Sequence, residues 1–142
     1  MGINKSPNVY NNMTFDSNSF TYKKIRINGD PQYVTEKNGE FGFIEILICN
    51  ELPLAYINAW LPLKSNVNQL YSLYEIVSAN DSPFDASEMA QFGPPLCIDD
   101  TQTKSGYIHI GGDGTIYVAV REMSLSNKTV SSGFVVMRAH KG

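Results

Sequence analysis

Gly106-Tyr107-Ile108-His109-Ile110-Gly111-Gly112-Asp113-Gly114-Thr115-Ile116-Tyr117-Val118-Ala119-Val120-Arg121 is the stretch that decides the fold. Apolar residues fall at every second position on both sides of a Gly-Gly-Asp-Gly turn. Side chains alternate faces along a strand, so the pattern predicts a β-hairpin with one buried face. Ile108 and Ile110 share that face with Ile116, Val118 and Val120. Tyr107, His109, Tyr117 and Arg121 point the other way. The turn glycines supply positive φ. They do not form a phosphate cradle, because no Lys-Ser/Thr ending follows and the next element is a strand.

Working outward, the same texture recurs. Phe20–Ile27 reads as a strand with a bulge at Lys23-Lys24, where the apolar phase slips. Asn28-Gly29-Asp30 is a turn, and Pro31–Thr35 starts a short strand. Asn38-Gly39 carries the signal of a two-residue hairpin turn. Phe41–Cys49 is rich in β-branched and aromatic residues and reads as a central strand. Leu54–Leu63 follows, with Pro62 marking its end. Tyr71–Ser78 is a strand that needs a bulge for Tyr71, Leu73 and Ile76 to share a face. Asp85–Phe92 is a short helix candidate, with Asp85 and Glu88 as a capping box and Gly93-Pro94-Pro95 as its stop. A polar loop over 124–132 leads to the last strand, Gly133–Ala139. Eight or nine short strands therefore fill one domain over 20–142, an all-β antiparallel sandwich or jelly roll. Residues 1–19 are a polar lead-in rich in Asn and Ser.

Composition bounds the function. The chain has 142 residues, 42% of them hydrophobic, which suits one domain with a real core. Net charge is −3 and the basic residues are scattered, so no nucleic acid partner is expected. No apolar run is long enough to span a membrane, so no membrane partner is expected either. The first residues lack the apolar core of a secretory signal. Cys49 and Cys97 lie in apolar surroundings and read as buried free thiols.

Chemistry-bearing patterns are sparse. The two histidines, His109 and His140, have no metal-ligand spacing, and no cofactor is expected. Asp99-Asp100-Thr101 reads as a turn whose side chains bond the backbone. Catalysis is not expected. The remaining signal is surface texture: eight Tyr, thirteen Asn and thirteen Ser combine amphipathic rings with adaptable hydrogen-bonding groups. Such surfaces bind polar ligands without charge.

Residues 58–137 resemble the C-terminal head domains of phage tail receptor-binding and baseplate proteins. The resemblance is carried by four segments: Trp60-Leu61-Pro62-Leu63, Phe92-Gly93-Pro94-Pro95-Leu96, the Gly106–Val118 strand-turn-strand, and Phe134-Val135-Val136-Met137. It implies a homotrimer that attaches to host cell-surface saccharide or protein. It also implies contact with other tail proteins and a place in the virion, after synthesis in the host cytoplasm. On this reading Trp60, Tyr107 and Tyr117 stack on a sugar face, while His109, Asp113 and Arg121 hydrogen-bond its substituents. One rival is a structural tail or capsid subunit in the same fold. Another is a small glycan hydrolase using Asp99 or Asp100 with Glu75 or Glu88. A third is a host-encoded carbohydrate-binding module.

Overall fold

The computed structural model describes residues 20–99 and 101–141; the lead-in read over 1–19 lies outside them, as do Asp100 and Gly142. Ten strands follow in chain order: β1 (Tyr22–Asn28), β2 (Glu36–Lys37), β3 (Glu40–Phe41), β4 (Phe43–Cys49), β5 (Leu54–Pro62), β6 (Ser72–Val77), β7 (Gln91–Ile98), β8 (Thr101–Ile110), β9 (Ile116–Val120) and β10 (Thr129–Met137). The protein is all-β, as the alternation requires.

Eight strands pair antiparallel in the order β1-β4-β5-β10-β7-β8-β9-β6, and β2-β3 form a separate small ribbon. The ladder between β10 and β7 is only two pairs long, Val130↔Ile98 and Ser131↔Cys97. The sheet therefore divides into two four-stranded leaves, β1-β4-β5-β10 and β7-β8-β9-β6, which fold over a common core. Their far edges approach where the Asp30 amide donates to the Ile76 carbonyl. The result is sandwich-like.

Alternation fills the space between the leaves. Ile44, Ile46 and Ile48 of β4 and Ala55, Ile57, Ala59 and Leu61 of β5 are buried from one side. Ile108 and Ile110 of β8 and Ile116, Val118 and Val120 of β9 are buried from the other. The Asn38-Gly39 hairpin turn is present, both residues at positive φ (54° and 83°) as a tight two-residue turn demands.

Several expectations are corrected. No helix forms over 85–92. The Asp85 amide instead donates to the Ala139 carbonyl, and the Ser87 amide to the Gly112 carbonyl. A helix of two turns is marginal on its own, and these long-range bonds replace it. The chain then enters β7 and runs straight through Gly93-Pro94-Pro95, at the cost of register shifts between Phe92 and Pro95 and between Pro95 and Cys97. The bulge expected at Lys23-Lys24 is absent: β1 pairs with β4 without interruption from Tyr22↔Cys49 to Asn28↔Phe43. On this edge strand Tyr22 lies exposed, so the slip in apolar phase needs no bulge. Pro31–Thr35 is a turn, because the Tyr33 and Val34 amides donate back to Asp30; only Val34 bridges, to Leu63. The bulge expected in β6 is present, between Glu75 and Val77, but the faces are reversed. Tyr74, Ile76 and Val77 point inward, while Tyr71 and Leu73 are exposed. Cys49 is buried and Cys97 half-buried, both free.

The β8–β9 pairing leaves no room at Gly106, opposite Val120. A β-carbon there would lie 2.0 Å from the Ala119 carbonyl oxygen. Gly106→Ala is expected to destabilise the fold by about 1–3 kcal/mol, the range for overpacking. Chemical denaturation checks this; an unchanged midpoint would mean that the hairpin can part without loss.

Candidate functional site

The hairpin puts its polar side where the alternation predicts. Tyr107, His109, Tyr117 and Arg121 are half-buried on the outer face of β8 and β9, behind the fully buried Ile108, Ile110, Ile116, Val118 and Val120. His109 pairs directly with Tyr117, and Tyr107 with Ala119. β7 adds Phe92 opposite His109. β6 ends the same cross-strand row with Glu75 opposite Tyr117.

The rings form one continuous cluster. Phe92 meets Tyr107 edge-to-face at 5.5 Å and His109 at 5.0 Å. His109 meets Tyr117 edge-to-face at 5.5 Å. These separations are those of favourable aromatic pairs. Arg121 closes one end. Its Nη2 donates to the Tyr107 hydroxyl at 2.5 Å and its Nη1 to the Val120 carbonyl at 3.2 Å. Its charge also lies 5.0 Å from the centre of the Tyr107 ring.

Beside this end is a groove of about 310 Å³, at the lower limit of small-ligand sites. Tyr71, Gly93, Lys104, Tyr107, Arg121 and Glu122 line it. Tyr71 is held at φ 60° and is 77% exposed. A bulky residue in the left-handed region is a true outlier. Its amide is fixed by the Val120 carbonyl at 2.9 Å, so the strain is retained in a ring that stands in solvent at the groove.

The remaining expected residues lie elsewhere. Asp113 sits at the tip of the β8–β9 turn, where Oδ1 accepts from the Thr115 amide at 3.0 Å. That bond, helped by the nearby Arg138 charge, holds its carboxyl below the usual range. Asp113 still marks the far end of the row: a β-carbon on Gly111 would meet both the Tyr117 ring (3.3 Å) and Asp113 Oδ1 (3.5 Å). Trp60 is not part of the cluster. It faces outward on β5, separated from β8 by β10 and β7, against Phe43 at 6.0 Å. It lines a separate groove with Lys37, Asp99 and Ser131. Two carboxylates of the hydrolase reading, Asp99 and Glu75, also lie apart. Asp99 adjoins the start of β8, while Glu75 lies across from Tyr117 near its end. At about 3.3 Å per residue that is roughly 25 Å, well beyond the spacing of a glycosidase pair. Among the described residues no group of His, Cys, Asp and Glu is placed to hold a metal ion.

Sequence reasoning missed Phe92, Tyr71, Lys104 and Glu122. The sequence pattern places Phe92 in a helix and Tyr71 on the inner face. A usable signal lies one residue on: Gly93 precedes Pro94, and a residue before proline favours extended backbone, which argues against a helix running up to it. No signal in the chain announces the positive φ of Tyr71.

No protein-family model matches the chain, and no curated protein or solved structure matches it.

Two outcomes follow from this geometry. Burial beside Phe92 and Tyr117, and secondarily the Arg121 charge, lower the proton affinity of His109. Its Nδ1 is buried without a hydrogen-bond partner. The unfolded chain, with an ordinary value near 6.5, binds this proton more readily than the folded one. The stability carried by neutral His109 is thus complete above about pH 6.5 and falls as pH drops through the lower folded value. His109→Gln is expected to flatten the stability slope between about pH 7 and pH 5, read by denaturation at each pH. Tyr71→Gly relieves the left-handed strain and is expected to stabilise the fold by about 1 kcal/mol in the same assay.

Proposed function

We propose that this chain is a non-catalytic attachment module of a phage virion, binding host cell-surface saccharide or protein without covalent chemistry. The ring-bearing face of β7, β8 and β9 is the contact surface. One observation carries the reading: Phe92, Tyr107, His109 and Tyr117 form an uninterrupted row on rigid strands, with Arg121 at one end. Rings on strands lose little freedom on binding, and aromatic rings pack well on the C–H side of a sugar. The segments that resemble phage head domains support the virion assignment, and with it a homotrimer seated on other tail proteins.

The structural-subunit reading has its own support. The outer face of β4, β5 and β10 exposes Leu47, Tyr56, Val135 and Met137 as one cross-strand patch. Apolar patches of this kind mark contact surfaces.

A glycan array probed with the intact folded chain tests the proposal, alongside its mass by light scattering. Binding to a defined set of glycans is expected, with a mass of three chains. Phe92→Ala and Tyr107→Ala are each expected to weaken that binding about tenfold, as loss of about 1.4 kcal/mol of ring contact gives. A trimer that binds no glycan and no host cell would leave the structural subunit as the better reading.

A further inference from the structure

We infer that the groove beside the aromatic row takes an acidic sugar, its carboxylate held between Arg121 and Lys104. This rests on the saccharide reading above and names the class of sugar.

The groove lining holds two cationic side chains, Lys104 and Arg121, against one carboxylate, Glu122. The chain as a whole carries a net charge of −3, so this positive balance runs against its composition. Among the described residues the ion pairs are Lys24–Glu45 and Arg26–Glu40, both on β1. Among the described residues neither groove cation forms an ion pair with a carboxylate.

Arg121 is moreover held in place by neutral groups. It donates to the Tyr107 hydroxyl and the Val120 carbonyl, which fix the guanidinium without cancelling its charge. A guanidinium offers five N–H donors in a planar fork, and these bonds use only part of it. The rest suits the two oxygens of a carboxylate, which arginine binds bidentately. Lys104 adds an exposed point charge on the same strand as Tyr107.

The groove is also shaped for a ring and not for a bare anion. Tyr71 and Tyr107 both line it, while Gly93 and Gly106 present no side chain. A small inorganic anion would use the cations and leave the exposed Tyr71 ring idle. A uronate places its carboxylate on the cations and its C–H face on a tyrosine. Glu122 opposes any anion that enters and so sets a limit on affinity.

The test uses the full folded chain and a panel of uronate oligosaccharides (glucuronate, galacturonate and mannuronate), each paired with its methyl ester. Esterification removes the charge and keeps the ring. Calorimetric titration is expected to show at least one uronate binding about tenfold or more tighter than its ester, a difference that added salt reduces. Lys104→Gln, an exposed substitution, and Arg121→Gln are each expected to weaken that uronate about tenfold. Glu122→Gln is expected to tighten it by about threefold, a gain that a merely structural role would not produce. Equal affinity for acid and ester overturns the inference and leaves the saccharide reading intact. So does an array positive only for neutral glycans. Inorganic sulfate binding as tightly as the best uronate overturns the assignment of a sugar. Silence on both the array and the uronate panel overturns both readings.

Discussion

Two prolines without amide hydrogens determine where this sheet divides. Pro94 and Pro95 cannot donate to a ladder, so β7 stays paired with β10 only at Cys97 and Ile98. Beyond that point the regular ladder stops, although the strands stay side by side and the Gln91 side-chain amide donates to the Met137 carbonyl at 2.6 Å. Phe134 packs on β7 there: a β-carbon on Gly93 would lie 2.7 Å from its ring. The division lets eight strands close as two leaves over one core. The same irregularity shifts the β7–β8 register between Phe92 and Pro95. Such bulges re-aim side chains. Here Phe92 is brought within ring contact of both Tyr107 and His109. Fold and candidate site thus share one cause.

A second constraint holds the loops at the far end of the hairpin. Arg138 is buried, and its guanidinium donates to the carbonyls of Asp85 and Gly112. A buried arginine is costly unless its N–H groups are used. Its bonds tie the segment read as a helix to the tip of the β8–β9 turn. This explains why that segment gives up local capping for distant partners. Burial lowers the proton affinity of Arg138, while Asp113 and Asp85 act to raise it. The aromatic row is therefore anchored at both ends by arginines, one buried and structural, the other at the groove.

Much of the fold was legible because burial has period two. Ile44-Ile46-Ile48 and Ile108-Ile110 could not alternate otherwise and still face a core. The outward set of Tyr107, His109, Tyr117 and Arg121 followed from the same parity. What stayed hidden was non-local. Asp85 and Glu88 look like a capping box until Ala139 and Gly112 supply other partners. Tyr71 resets the phase of β6 by entering it at positive φ, which turned Leu73 out and Tyr74 in. Tyr74 can accept burial because its hydroxyl takes the Gln69 amide at 2.9 Å. Trp60 does face outward, yet strand order puts β10 and β7 between it and the hairpin, and no local pattern encodes strand order.

The bond from the Asp30 amide to the Ile76 carbonyl has a consequence for behaviour at high local concentration. Every open sheet has two margins that invite a foreign strand, and unchecked pairing there leads to fibrils. Here the two margins are turned toward each other and joined at one end, while the exposed Lys23 and the ion-paired Lys24 and Arg26 cover the other stretch of β1 with charged side chains. Many copies crowded together would meet hydrated, charged side chains at that rim, which blunts the stitching of edges into ribbons.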